Sequence, residues 1–229
     1  MSEAAGALGI LGILGGTFDP PHIAHLRLGI EARETLGLAE ICLVPAGRPA
    51  LRDAPQSVAE DRLAMAERAL AGMPGFSVDA AEVLGSTGSP KPSYTVDTLE
   101  RLRRQHGRER PLVLLLGADA FARLEAWHRW RDLFELAHIA VATRPGHDAR
   151  VGAGDTALNA EFAQRHGVAA DLAGSPAGRI VPFAITALDI SASDMRQRLA
   201  QGLSARHLVP DAVLDYIDSH QIYRTPHGH

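Results

Sequence analysis

The sequence predicts an α/β fold, Rossmann-like and doubly wound, with a mostly parallel sheet, flanking helices and a small C-terminal helical portion. Three observations carry this. Short apolar runs alternate with helix-period segments along the chain, the pattern of strands joined by crossover helices. Pro111–Leu116 is a continuous apolar run of the kind buried on both faces of a parallel sheet. The first apolar run passes through Gly15-Gly16 and a short loop into a helix-period segment, the layout of a ligand-binding strand–loop–helix unit.

The elements follow in order. Leu8–Leu14 reads as the first strand, ended by Gly15-Gly16. Ile23–Leu36 places Ile23, Leu26, Ile30 and Arg33 at helical spacing, with Gly37 as its stop. Ile41–Pro45 is a second strand, followed by the loop Ala46–Gln56. Ser57 is expected to N-cap a helix running to Leu70, with Glu60 three residues on completing a capping box. Phe76–Val83 alternates like a strand, Gly85–Pro92 reads as a loop, and Thr95–Gln105 as a helix. After the central run, a Trp-containing helical region, Phe121–Leu136, precedes the strand Ile139–Thr143. From Pro145 to Gly178 the pattern weakens to a poorly defined helix and loops. Arg179–Ile185 is a late strand, and Ser191–Gln201 and Pro210–His220 are closing helices. With no internal repeat and no linker, residues 1–229 are expected to form a single domain, 1–7 being a flexible N-terminus and 145–178 an ill-defined insertion.

Composition narrows the function classes. Hydrophobic residues make up 46% and charged residues 22%, ordinary for a soluble globular chain. A formal net charge of -4 argues against a general nucleic-acid binder. Cys42 is the only cysteine, so no intrachain disulfide or cysteine zinc cluster can form, which fits a reducing cytoplasm. Leu8–Leu14 is short and follows Glu3 rather than a basic cluster, unlike a signal peptide. No run approaches the roughly 20 apolar residues that span a bilayer. The expectation is a cytoplasmic protein with neither nucleic acid nor membrane as partner. Lys91 is the only lysine, so a cationic phosphate contact has to come from arginine, histidine or a helix N-terminus.

The strongest chemical signal is Gly15-Gly16-Thr17-Phe18-Asp19-Pro20-Pro21-His22-Ile23-Ala24-His25. Between a strand and a helix, free N–H groups and the positive end of the macrodipole point at whatever binds there. The glycines allow close backbone approach to an anion, and His22 and His25, three apart, can face one phosphate. Neither G-x-x-x-x-G-K-[ST] nor G-x-G-x-x-G is present. The other readings of the pair are two ordinary helix-start residues, or a zinc site, which would need a third ligand outside any H-E-x-x-H pattern. A second signal is Ile190-Ser191-Ala192-Ser193-Asp194-Met195-Arg196. Two hydroxyls opening a helix, with Arg196 one turn inward, make either a second phosphate cradle or a simple N-cap.

Gly15–His25 resembles the H-x-G-H nucleotidyltransferase superfamily, with Ala24 where that family usually has glycine. Ile190–Arg196 is similar to its I-S-S-T-x-x-R motif, with Ala192 and Ser193 replacing the commoner Ser and Thr. Ser93-Tyr94-Thr95-Val96-Asp97-Thr98-Leu99 and Leu116–Phe121, followed by Trp127 and Trp130, resemble the bacterial nicotinate-nucleotide adenylyltransferases. Matching motifs extend over nearly the whole chain, to Leu208-Val209-Pro210 and Tyr216-Ile217.

That resemblance implies an enzyme of NAD biosynthesis joining ATP and nicotinate mononucleotide. The products would be nicotinate adenine dinucleotide and pyrophosphate, with Mg²⁺ carried by ATP and no protein metal ligands. It implies His22, His25 and Arg196 as catalytic residues. Gly15, Gly16, Thr17, Phe18, Gly117, Asp119, Ile190, Ser191, Ser193 and Arg196 would meet ATP, with Gly117 and Asp119 at its ribose. Asp19, Arg52, Tyr94, Thr95, Trp127 and His128 would meet the mononucleotide. Trp127 would stack on the pyridine ring, and Thr95 with the backbone near His128 would face its carboxylate. Trp127 and Trp130 also read as a core pair at i, i+3, and Trp130 is kept as structural. One segment departs from the family, which usually has a Pro-His-Lys-like or Pro-His-Arg-like stretch after the second strand. Here Arg48-Pro49-Ala50-Leu51-Arg52-Asp53 keeps the cation as Arg52 and places Leu51 at the histidine position. The rival readings are another transferase of the superfamily, acting on phosphopantetheine or CTP-linked substrates, and a non-catalytic nucleotide sensor.

Overall fold

A computed structural model describes residues 9–50, 54–86, 91–143 and 156–224. Its strands are β1 (Leu11–Gly16), β2 (Glu40–Pro45), β3 (Phe76–Val78), β4 (Leu112–Gly117), β5 (His138–Thr143) and β6 (Ile180–Ala184). They form one sheet in the order β3-β2-β1-β4-β5-β6, and every neighbouring pair is parallel. The chain thus builds outward from β1 to one edge, returns to the centre at β4, and builds to the other edge. In such a sheet ligands bind outside the carboxyl ends of the strands where the order reverses, here beside β1 and β4.

The helices are α1 (Ile23–Leu36), α2 (Ala59–Ala69), α3 (Ala81–Ser86), α4 (Thr95–His106), α5 (Ala118–Phe121), α6 (Leu133–Leu136), α7 (Ala157–Arg165), α8 (Ala192–Ala200) and α9 (Asp211–Ser219). Strand alternation divides the core into two layers. Leu112, Leu114 and Leu116 join Val96, Leu99 and Leu102 of α4, Phe121 of α5, and Leu133 and Phe134 of α6 on one face. Val113 and Leu115 join Leu26 and Leu36 of α1, Met65 of α2, Met195 of α8, and Val213 and Ile217 of α9 on the other. The continuous apolar run in the sequence follows from burial on both faces. None of the helices among the described residues is long and apolar enough to cross a membrane.

Several sequence expectations are corrected. The first strand begins at Leu11 and includes Gly15 and Gly16, which pair with Val44 and Pro45, so the glycines extend the strand rather than end it. The expected strand Phe76–Val83 stops at Val78, because the Asp79 carboxylate accepts the Ala81 N–H at 2.9 Å and turns the chain into α3. That helix also takes in Gly85 and Ser86 of the expected loop. Ser57 does not cap α2. The N-cap is Val58, without a side-chain bond, and the Ser57 hydroxyl is used elsewhere. The helical region 121–136 is broken into α5, two 3₁₀ turns (Leu124–Ala126 and Trp130–Asp132) and α6. Trp127 is extended at φ −79° and ψ 145°, and Arg129 has φ 50°, which no continuous helix accommodates. In the ill-defined stretch, α7 and a 3₁₀ turn at Ala169–Ala173 are formed, while residues 144–155 lie outside the described set.

Candidate active site

The β1–α1 loop is held in shape by its own packing. Phe18 is buried with φ 52°, a left-handed conformation rare for a non-glycine residue. Its ring covers Gly16, where a Cβ would lie 2.9 Å from Phe18 Cζ, so any side chain there would have to push the ring aside. The same ring meets His25 edge-on, with centroids 5.0 Å apart.

His22 is the N-cap of α1 and His25 its third residue. The His22 backbone N–H donates to His25 Nδ1 at 3.2 Å, the part a Glu or Gln plays in a capping box. Since Nδ1 accepts, the neutral His25 ring carries its proton on Nε2. The two rings stack with centroids 3.7 Å apart and planes 27° apart. His22 is only 5% exposed, and its Nδ1 is buried without a hydrogen-bond partner. Burial pulls its pKa down from 6.5 to about 4, leaving a neutral imidazole at neutral pH. The Ile23 N–H donates to the Leu208 carbonyl at 2.8 Å, which ties the start of α1 to the Leu208-Val209-Pro210 segment.

Arg196 brings the second motif to the first. Its Nη1 donates to the Asp19 carbonyl at 2.8 Å and lies 3.8 Å from Asp19 Oδ2, while Nη2 donates to Ser193 Oγ at 3.2 Å. Arg196 Nε is buried without a partner. Ser191 caps α8: its Oγ accepts the Asp194 N–H at 3.1 Å and donates to Asp194 Oδ2 at 2.7 Å. Ile190 packs against the core just before it.

Asp19 faces inward, 2% exposed. Its carboxylate accepts from Gln56 N at 2.8 Å, Ser57 N at 3.2 Å, the Ser57 hydroxyl and the Tyr223 hydroxyl at 2.6 Å. Next to it, Arg62 is 1% exposed and donates to the carbonyls of Thr17 at 3.0 Å, Ala46, and Gly47 at 2.9 Å. That one guanidinium stitches the loop after β1 to the loop after β2. Gly47 is needed at this junction, since a Cβ would stand 2.1 Å from the Glu82 carbonyl oxygen.

The remaining described residues lie after β4 and at the start of α4. Gly117 closes β4 and caps α5, and Asp119 is exposed in that helix's first turn. Tyr94 caps α4, Thr95 opens it, and the rings of Tyr94 and His128 lie 4.5 Å apart, with half-buried Trp127 beside them in sequence. Arg48 N donates to Ser93 Oγ at 3.2 Å and Ser93 N to the Arg48 carbonyl at 2.9 Å, so the loop after β2 reaches this same corner. Arg52 and Leu51 lie outside the described residues.

Sequence reading missed Arg62, Ser57 and Tyr223. Arg62 left a signal: it shares the buried face of α2 with Met65, Ala66 and Ala69, a cation at a core position. Tyr223 and Ser57 left none, because their role depends on contacts distant in sequence.

The fold and this two-motif site define a cytidylyltransferase-like protein, and residues 13–198 match that family. A chain from Dechloromonas aromatica, described as "Probable nicotinate-nucleotide adenylyltransferase", is 52% identical over 93% of this chain and 97% of its own length. One from Pseudomonas putida with the same description is 48% identical over 99% and 100%. This chain belongs to the nicotinate-nucleotide adenylyltransferase family. Among solved structures, Plasmodium falciparum nicotinic acid mononucleotide adenylyltransferase complexed with APC superposes with a TM-score of 0.66 at 15% identity, over 94% of this chain and 97% of that one. The same enzyme complexed with NaAD gives 0.65 at 16% identity, and at this distance the likeness concerns the fold.

Proposed function

We propose that this chain joins ATP and nicotinate mononucleotide to give nicotinate adenine dinucleotide and pyrophosphate, a step of NAD biosynthesis. The observation that carries the reading is the stacked His22–His25 pair at the N-terminus of α1, with His22 Nδ1 buried and unpartnered. A buried polar atom without a partner costs about 1–3 kcal/mol, a penalty that a bound phosphate oxygen relieves. Family membership supplies the substrates.

The acceptor phosphate has a second pKa near 6 and is largely dianionic at neutral pH. It needs no general base to attack the α-phosphorus of ATP. As the new P–O bond forms, the bond to the β,γ-pyrophosphate breaks and the pyrophosphate leaves with the electron pair. The protein's task is to hold two anions in line and stabilise the charge of the five-coordinate transition state. The N–H groups of His22 and His25 and the loop amides of Gly15 to Phe18 serve the α-phosphate. Arg196, with Ser191, Ser193 and Ile190 at the opening of α8, serves the departing pyrophosphate. Gly117 and Asp119 meet the ribose, the latter as a carboxylate accepting from hydroxyls. Tyr94, Thr95, Trp127 and His128 receive the pyridine and its carboxylate. Asp19 serves as a joint behind the acceptor phosphate, with Arg52 as its cationic contact. Mg²⁺ carried by ATP would supply charge neutralisation on the phosphates, without a dedicated set of protein ligands. Among the described residues no group of three or more His, Cys, Asp and Glu side chains is placed to hold a metal ion.

The test is pyrophosphate release on mixing the protein with Mg·ATP and nicotinate mononucleotide, with the dinucleotide identified by mass. ATP binding without pyrophosphate release would make the chain a sensor and sink the reading.

A further inference from the structure

Helix α9 ends at Ser219, and the chain then turns back on itself. The Ile222 N–H donates to the Ile217 carbonyl at 3.0 Å, and Gln221 and Tyr223 take left-handed φ values of 54° and 62°. This turn directs the Tyr223 phenol into the β1–α1 loop, where its hydroxyl lies 2.6 Å from Asp19 Oδ1 and 3.3 Å from Ser57 Oγ. Burial, and then the Asp19 carboxylate, push the phenol far above its ordinary pKa, so it remains a donor at any working pH. The carbonyl of the same Asp19 holds Arg196, and His22 lies three residues further on.

We propose that Tyr223 is a positioning residue for nucleotidyl transfer: by fixing the Asp19 carboxylate it sets the Asp19 carbonyl against Arg196 and the loop that presents His22. The proposal rests on the transfer reaction described above. Ser57 and Gln56 still hold the carboxylate when the phenol oxygen is removed, so Tyr223→Phe keeps the fold and loosens the alignment. Misalignment of reacting groups acts on the transition state more than on substrate binding.

The experiment uses the full chain as parent, Tyr223→Phe, Asp19→Asn and the double variant. It records kcat, the KM for ATP, and the side-chain ¹⁵Nε resonance of Arg196. Tyr223→Phe is expected to lower kcat roughly tenfold with the ATP KM changed by less than about threefold. It should also shift the Arg196 resonance, and in the Asp19→Asn background it should add little further loss. Parent-like kcat with an unmoved Arg196 resonance overturns the proposal, as does a full, additive loss in the Asp19→Asn background. If the parent itself releases no pyrophosphate, the transfer reading fails, and the Arg196 resonance alone then decides whether Tyr223 sets that guanidinium.

Discussion

Arg196 donates to the backbone carbonyl of Asp19 at 2.8 Å across 177 residues of sequence, so the β1–α1 loop and the opening turn of α8 are joined directly. A guanidinium held at both terminal nitrogens, by the Asp19 carbonyl and Ser193 Oγ, offers its remaining N–H groups in a defined direction. Arg196→Lys keeps the charge but loses the planar fork, and kcat is expected to fall roughly tenfold or more. Arg196→Ala should lose more, and should also weaken a non-hydrolysable ATP analogue in calorimetry. Parent-like turnover and affinity in Arg196→Ala would remove the residue from the site.

Replacing His22 or His25 by alanine is expected to lower kcat by on the order of a hundredfold while folding is retained. In the proposed mechanism both rings donate N–H groups to charge that develops in the transition state, so KM should move less than kcat. Steady-state kinetics with circular dichroism as a folding control measures this. A raised KM at normal kcat would assign the pair to ground-state binding.

The buried imidazole of His22 also predicts a pH dependence. Its folded-state pKa, about 4, lies below the ordinary 6.5, so between these values the unfolded chain binds the extra proton. Stability is therefore full above pH 6.5 and declines as the pH falls towards 4, by at most about 1.4 kcal/mol per pH unit from this group. Urea unfolding of the parent and of His22→Asn across that window should give a shallower slope for the variant. Anions bound beside the ring favour its charged form, so Mg·ATP should raise the His22 titration point in NMR.

The acid mononucleotide is expected to be used in preference to the amide. The N-terminus of α4 at Thr95 presents N–H donors, and a carboxylate accepts at both oxygens whereas an amide turns its NH₂ towards one of them. Each donor left facing a donor costs about 1–3 kcal/mol, and a lost charge-assisted bond adds to it. A ratio of roughly a hundredfold or more in kcat/KM follows. Side-by-side kinetics at saturating Mg·ATP decides it, and equal efficiencies would remove the acid specificity.

Much of this architecture was legible because its causes are local. Leu112 to Leu116 are apolar since both faces of β4 are covered, and Gly15-Gly16 ahead of His22 and His25 marks the passage from β1 to α1. The breaks at Trp127 and Arg129 were not legible, because they depend on backbone conformations that hydrophobic period does not encode. Ser57 looked like a cap because serine before a helix usually is one, yet its hydroxyl serves Asp19, distant in sequence. Arg62 stood at a core position of α2, and only the carbonyls of Thr17, Ala46 and Gly47 explain a cation there. Local chemistry announces itself in sequence, whereas the scaffolding that aims it comes from segments far along the chain.

Because the sheet runs β3-β2-β1-β4-β5-β6, a cut in the chain between α4 and β4 divides the proposed site rather than spoiling one part of it. The first piece keeps His22, His25, Asp19 and Arg62, and the second keeps Gly117, Trp127, Arg196 and Tyr223. Neither holds a full set, and the bonds from Arg196 and Tyr223 to Asp19 would have to form between separate molecules. Turnover then becomes a property of the reunited pair, and complementation between two inert fragments would report on the seam where the two halves of the fold meet.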